Sequence, residues 1–266
     1  MTTNNPDRKK TTFYKYHGNG NDFIIIRQDY FPVWMNKSWI SAICDRHFGI
    51  GADGMILILP SEKTDFRMLY FNADGLEGSM CGNGGRCAAA FAFNQGIAQK
   101  AMHFEAFDGL HEAVILSQSG QSTMVSLQLS DVQSWQHTGD ALLINTGSPH
   151  LVQRVDNLHE LDVVVEGRKI RYNKAIAENG INANFFQIKD GLIELRTYER
   201  GVEAETLSCG TGVTAAAIAA SLWYGGNSFE ISMPGGRLKV QFNVGTNSFT
   251  EIRLEGPATF VFEGVL

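Results

Sequence analysis

Met80-Cys-Gly-Asn-Gly-Gly-Arg-Cys-Ala-Ala-Ala-Phe-Ala-Phe-Asn94 and Ser208-Cys-Gly-Thr-Gly-Val-Thr-Ala-Ala-Ala-Ile-Ala-Ala-Ser-Leu-Trp223 are the stretches that decide how this chain folds. Each places Cys-Gly-x-Gly ahead of an alanine-rich run, which predicts helices over about 83–94 and 211–223, with Gly96 and Gly225-Gly226 as their stops. An offset of 128 carries the first stretch onto the second. Tyr70 falls on Tyr198, Glu77 on Glu205, Cys81 on Cys209, Gly82 on Gly210 and Gly84 on Gly212; Ala88, Ala89 and Ala92 fall on Ala216, Ala217 and Ala220. After each helix comes a strand, a glycine turn and a second strand: 103–107, Gly109 and 110–116 against 229–233, Gly235-Gly236 and 237–244. Such self-similarity is the signature of two like-folded halves.

Outward from these helices the chain is rich in short strands, at 23–27, 55–59, 66–72, 111–116, 123–129, 185–189, 192–199, 229–233, 238–244 and 258–262. Many alternate apolar with polar side chains, as half-buried antiparallel strands do. Asn36 can cap a further helix that carries Trp39, Ile40, Ile43 and Cys44 on one face. The expected fold is α/β, in the α+β sense, with pseudo-symmetric halves over 11–128 and 129–256. The last strand, 257–266, is expected to return to the first half, and 1–10 to be a flexible lead-in.

Hydrophobic residues make up 44% and charged residues 19% of the 266, which suits a folded core and not a disordered chain. Twenty-two Lys plus Arg against 28 Asp plus Glu leave a net charge of −6, with no basic run beyond Arg8-Lys9-Lys10, so no nucleic-acid or anionic-membrane partner is expected. The longest apolar run, 87–93, falls far short of the ~18 residues of a membrane helix. The polar N-terminus lacks an apolar signal-peptide core, which points to a cytoplasmic protein. Cys44, Cys81, Cys87 and Cys209 are too scattered for a disulfide framework, and no pair has C-x-x-C spacing, so reduced thiols and no metal site are expected.

The paired Cys-Gly-x-Gly segments carry chemistry. Glycine permits a tight strand-to-helix turn and lets a ligand approach the backbone. The free N–H groups of a first helical turn, at the positive end of the helix dipole, favour an anion. A cysteine there is expected to be more acidic than a free thiol. If the halves face each other about a pseudo-two-fold axis, both thiols and both helix N-termini point into one cleft. Stereochemical inversion requires that arrangement: a thiolate takes an α-proton from one face of a carbon and a thiol returns one to the other. Helix dipoles aimed at the α-carboxylate stabilise the carbanionic charge, and no cofactor is needed in principle. Cys44 and Cys87 read as small buried hydrophobes, and Cys87 has Ala215 as its counterpart.

Phe13-Tyr-Lys-Tyr-His-Gly-Asn-Gly-Asn-Asp-Phe23, Arg46-His-Phe-Gly-Ile-Gly-Ala-Asp-Gly54, Phe71-Asn-Ala-Asp-Gly75, Met80-Cys-Gly-Asn-Gly-Gly-Arg-Cys87, Gly147-Ser-Pro-His150, Gly180-Ile-Asn182, Tyr198-Glu-Arg-Gly201 and Ser208-Cys-Gly-Thr-Gly212 resemble, in order, the motifs of the diaminopimelate epimerase family. The resemblance spans essentially all of the chain after residue 12. It implies that each half is a curved mixed sheet or barrel around its alanine-rich helix. It implies a cofactor-independent isomerase interconverting LL- and meso-2,6-diaminopimelate, for lysine and peptidoglycan precursor synthesis, and a homodimer. Cys81 and Cys209 would be the acid/base pair, with His150 and Glu199 near the reacting amine. Asn21, Asn72, Gly82, Asn83, Ser148, Asn182, Glu199, Arg200, Gly210 and Thr211 would hold the substrate; members commonly have Asn where Ser148 stands.

Gly49-Ile-Gly-Ala-Asp-Gly54 fits G-x-G-x-x-G, but a helical segment precedes it and a strand follows, the reverse of a dinucleotide fingerprint. Two other readings compete. A proline or hydroxyproline racemase would share both cysteines without needing Arg200 and several asparagines; a thiol redox protein would use Cys81 and Cys209 as a switchable disulfide.

Overall fold

A helix whose side chains are small on every face can be enclosed by strands all round. The chain does this twice in the computed structural model, which describes residues 11–29, 34–78 and 80–266. The lead-in expected at 1–10 lies outside the described residues. The first half runs β1 (Thr12–Gly18), β2 (Asn21–Arg27), α1 (Lys37–Cys44), β3 (Gly54–Leu59), β4 (Phe66–Asn72), β5 (Glu77–Gly78), α2 (Gly82–Asn94), β6 (Ala101–Ala106), β7 (Gly109–Ser119) and β8 (Ser122–Gln128). After β9 (Trp135–Thr138) the order repeats as β10 (Ala141–Asn145), β11 (Pro149–Arg154), α3 (Val163–Arg171), β12 (Asn182–Lys189), β13 (Leu192–Glu199), β14 (Ala204–Thr206), α4 (Gly210–Tyr224), β15 (Ser228–Met233), β16 (Gly236–Val244) and β17 (Phe249–Val265).

Strand pairing repeats with the order. β2 and β3 are parallel, as are β11 and β12; β3–β4 and β12–β13 are antiparallel; β4–β6 and β13–β15 are parallel. Closure is reciprocal. β17 pairs first with β16 and then, further along, with β8 and β1, from His17↔Thr259 to Thr12↔Val265. β9 pairs with β10, and Val132 just before it bridges to Phe249. Each ring of strands is thus completed by a segment that also serves the other.

The alanine-rich helices fill the two rings. Cys87, Ala88, Ala89, Ala90, Phe91 and Ala92 of α2 pack among Tyr16, Phe23, Ile56, Phe66, Met68 and Leu127. Val213 and Ala215 to Ala220 of α4 pack among Leu142, Phe186, Ile231, Val240 and Leu254. Asn36 caps α1 as the sequence predicts, its Oδ1 accepting from Trp39 N at 3.0 Å.

Two features differ from the sequence reading. The β-branched run Val163-Val-Val forms α3, because Asp162 Oδ1 accepts from Val165 N at 3.0 Å and Arg168, Lys169 and Arg171 crowd the negative end of the helix dipole. Second, Glu77 and Glu205 are not structural counterparts. Glu77 lies opposite Phe71, whereas Ala204 lies opposite Glu199, so the last pair encloses residues 72–76 in the first half and the one-residue-shorter stretch 200–203 in the second.

Gly167 is the point where α3 touches β13. A Cβ there would lie 2.3 Å from Tyr198 Cβ. Helix propensity favours Gly167→Ala by about 1 kcal/mol, but the clash with a buried strand costs about 1–3 kcal/mol. Packing wins, and urea denaturation should show Gly167→Ala destabilised despite its better helix former.

Candidate active site

Cys81 and Cys209 are the N-caps of α2 and α4, each with extended backbone at φ −102° and −122°. The two helices meet end to end. A Cβ built on Gly210 would lie 3.4 Å from Gly82 Cα, and Leu254 Cδ2 would lie 2.8 Å and 3.1 Å from Cβ atoms on Gly82 and Gly210. Only glycine permits that approach, so two positive helix ends share one space with a thiol on each flank.

On the Cys81 side, Sγ accepts from Gly84 N at 3.2 Å. Asn83 donates to Asn21 Oδ1 at 3.3 Å and to the carbonyl of Ser208 at 3.1 Å, so it reaches across to the residue before Cys209. Asn21 Nδ2 in turn donates to Asp53 Oδ2 at 2.8 Å, and Arg46 spans Asp53 and Asp22. Lys15 pairs with Asp22 at 2.9 Å and also donates to the Gly51 carbonyl, so a charged network fixes the turn that bears Asn21. Asn72 Oδ1 accepts from Tyr70 OH at 3.0 Å.

On the Cys209 side, Sγ lies 3.5 Å from Thr211 Oγ1, and the Glu199 carboxyl, whose charge acts on this thiol, accepts from the Thr206 hydroxyl at 2.9 Å. Asn182 donates to Ser148 Oγ at 3.0 Å and accepts from the backbone N–H of Arg200 at 2.8 Å, tying β11, β12 and the end of β13 together. His150 is fully buried. Its Nε2 lies 3.0 Å from Thr211 Oγ1 and its Nδ1 3.0 Å from Asn184 Nδ2, so it reaches the thiol through Thr211 and not directly.

The expected acidity of the thiols is corrected by their burial. Burial pushes Cys81 up to about 11, against the hydrogen bond from Gly84 N–H that favours the thiolate. Burial and then the Glu199 charge push Cys209 up, against the Thr211 hydroxyl and the Gly212 N–H. Glu199 is itself raised by burial. His150 is pushed down to about 3 by burial and by the charge of Arg200. A low-dielectric site disfavours every charged form unless one is directly paired.

The structure therefore gathers Cys81, Gly82, Asn83 and Asn21 from the first half with Cys209, Gly210, Thr211 and Glu199 from the second, and links Asn182, Ser148 and Arg200 beside them. Sequence reasoning missed Asn184, Tyr70, Thr206 and Arg86. Asn184 was detectable as an amide inside the apolar run Ala183-Asn-Phe-Phe186, since a buried amide must be hydrogen-bonded; it also accepts from Thr197 Oγ1 at 3.0 Å.

Solved structures with this fold include a PhzF-family phenazine biosynthesis protein from Bacillus anthracis, with TM-score 0.76 and 15% identity over 97% of this chain and 99% of that one. A hydroxyproline epimerase from Agrobacterium vitis, solved with trans-4-hydroxy-L-proline, gives TM-score 0.72 and 16% identity over 98% and 93%. The fold is therefore one shared with this PhzF-family protein and this hydroxyproline epimerase. The sequence model of the family described as Diaminopimelate epimerase matches residues 13–129 and 142–261. A diaminopimelate epimerase of Flavobacterium psychrophilum is 49% identical over 255 residues, covering 94% of this chain and 98% of its own length. One of Chlorobaculum tepidum is 42% identical over 259 residues, with 94% and 98% covered. This chain belongs to the diaminopimelate epimerase family.

The burial of His150 gives a stability signature. Its folded pKa lies below the unfolded value of about 6.5, so the unfolded chain binds the proton first and stability falls as pH drops from 6.5 toward 3. Between pH 7 and pH 5 the loss from this group is about 2 kcal/mol. Urea unfolding at the two pH values should show that loss in the wild type and a smaller one in His150→Gln.

Proposed function

We propose that the chain interconverts LL- and meso-2,6-diaminopimelate by proton transfer between two thiols. The observation that carries the reading is the end-to-end meeting of α2 and α4 with a cysteine capping each. In this reading the α-carboxylate lies against the first-turn N–H groups of Gly82, Asn83, Gly210 and Thr211, where two helix dipoles converge. One cysteine, as thiolate, removes the α-proton; the negative charge spreads into that carboxylate; the other cysteine, as thiol, protonates the opposite face. Glu199 accepts from the α-ammonium and leaves the thiols free of it. His150, held neutral, keeps the Thr211 hydroxyl aimed at Cys209. Arg200 offers a planar fork to the distal carboxylate, with Asn72, Asn182 and Ser148 around the distal head. The substrate is a small soluble amino acid, no described helix is long and apolar enough to cross a membrane, and the reading places the enzyme in the cytoplasm, at the step that feeds lysine and peptidoglycan precursors.

NMR of the reduced protein with LL-diaminopimelate in D2O tests this. Loss of the α-proton signal with appearance of the meso isomer is expected, and Cys81→Ser and Cys209→Ser should each lower the rate by about 10²-fold or more. A folded, reduced protein that leaves diaminopimelate unexchanged but exchanges proline would move the assignment to a cyclic amino acid.

Removing the distal fork should act on binding more than on chemistry. Arg200→Met forfeits charge-assisted hydrogen bonds worth about 1.5–3 kcal/mol, so KM should rise about tenfold or more while kcat falls less. The raised thiols set the pH dependence: with Cys81 near 11, the thiolate fraction at neutral pH is small and grows with each step of alkalinity. Between pH 6 and pH 8, kcat/KM should climb toward tenfold per pH unit and not fall.

A further inference from the structure

Arg86 is fully buried, and nothing in the chemistry above uses it. Its Nη1 donates to the Gly82 carbonyl at 3.1 Å, and its Nη2 to Asn19 Oδ1 and Asn83 Oδ1, both at 2.9 Å. All three acceptors are neutral, Nε has no partner, and no carboxylate pairs with it among the described residues. The slot is nonetheless built for it. A Cβ on Gly18 would lie 3.1 Å from Nη2, and one on Gly256 would lie 3.3 Å from Nε and 3.4 Å from Cζ.

Burying a guanidinium without a counter-ion is unfavourable, and a guanidinium keeps its proton. The hydrogen bond it makes does not require a charge. At the matching position of the second half stands Thr214, whose Oγ1 donates to the Gly210 carbonyl at 3.0 Å, as Arg86 does to Gly82. A neutral hydroxyl secures the start of α4; a cation secures the start of α2. The difference between the two halves is therefore a fixed positive charge on the first turn of the helix that Cys81 caps and a neutral hydroxyl on that of the helix that Cys209 caps.

We propose that Arg86 is a positioning residue that holds this charge next to Cys81, making Cys81 and not Cys209 the thiol that gives up its proton first in the substrate-free protein. The other groups that face Cys81 electrostatically are Glu199, Cys209 and Tyr70, with Cys87 on the same helix beside Arg86. Glu199 disfavours a thiolate on either side, and at Cys209 its charge is the largest cause after burial. Burial opposes a thiolate on both; Arg86, bonded to Gly82 and Asn83 in the first turn after Cys81, favours the charged form of Cys81. The proposal rests on the two-thiol reading for its consequence: the resting protein is set to accept the substrate stereoisomer whose α-hydrogen faces Cys81.

The test needs no substrate. The full chain, reduced, is treated with iodoacetamide over a range of pH, and alkylation of the Cys81 and Cys209 peptides is followed separately by mass spectrometry in wild type, Arg86→Met and Arg86→Lys. Cys81 should show the lower pH midpoint in the wild type. Arg86→Met should slow its alkylation at pH 8 by about tenfold and leave the Cys209 curve within about twofold, while Arg86→Lys, which keeps the charge, should preserve the order. A wild type in which Cys209 titrates first, or a folded Arg86→Met with an unmoved Cys81 midpoint, overturns the proposal. If Arg86→Met does not fold, the order in wild type and Arg86→Lys decides: Cys81 first in both supports it, and Cys209 first in either overturns it. Failure of the diaminopimelate exchange assay would leave this result untouched, so the two readings fall separately.

Discussion

Two helices that meet N-terminus to N-terminus place like partial charges against each other, and much of this structure follows from making that contact tolerable. Each end carries roughly half a positive charge and a set of N–H groups without intrahelical partners. Gly82 and Gly210 let the backbones approach, and Leu254 wedges against both. Strands exchanged between the halves hold the ends in place, since β17 is shared by both rings and β9 pairs with β10. The space between the ends favours an anion, and the two capping cysteines flank it. Fold and chemistry meet in that one contact.

Duplication gives two like scaffolds, whereas an amino acid with an ammonium, a carboxylate and a side chain is not two-fold symmetric. The halves have diverged where that matters. Asn72 in the first half corresponds at the offset to Arg200 in the second, Phe71 to Glu199, and Arg86 to Thr214. An amide faces a fixed cation, an apolar ring faces a carboxylate, and a buried cation faces a hydroxyl. Each exchange changes charge or polarity at one place in the repeat, and that is how a repeated backbone yields an asymmetric site.

The thiols show which effect dominates in the empty site. A helix N-terminus contributes about 0.3–2 kcal/mol to an adjacent anion. Raising a thiol from 9 to about 11 corresponds to about 3 kcal/mol against the thiolate. Desolvation therefore wins, and the neutral pair is the ground state. The same dry surroundings strengthen any field that acts on charge as it develops, so a site that resists ionisation at rest can still stabilise a carbanion next to its helix ends.

The sequence by itself determined the alanine-rich helices, the strands on either side of them, the duplication and the paired cysteines, because these depend on local period, capping and spacing that a linear chain displays. α2 and α4 were legible to within a residue at their starts, and β4 and β13 at both ends. It did not reveal α3, whose β-branched start is overruled by the Asp162 cap and by packing on β12 and β13. Nor did it reveal the register that separates Glu77 from Glu205, or the roles of Asn184 and Arg86. Only the tertiary structure decided that desolvation raises both cysteines, that His150 meets Thr211 and not a thiol directly, and that the rings close by exchanging strands. Burial and charge pairing depend on which distant segments surround a group, and no spacing along the chain encodes how many water molecules they displace.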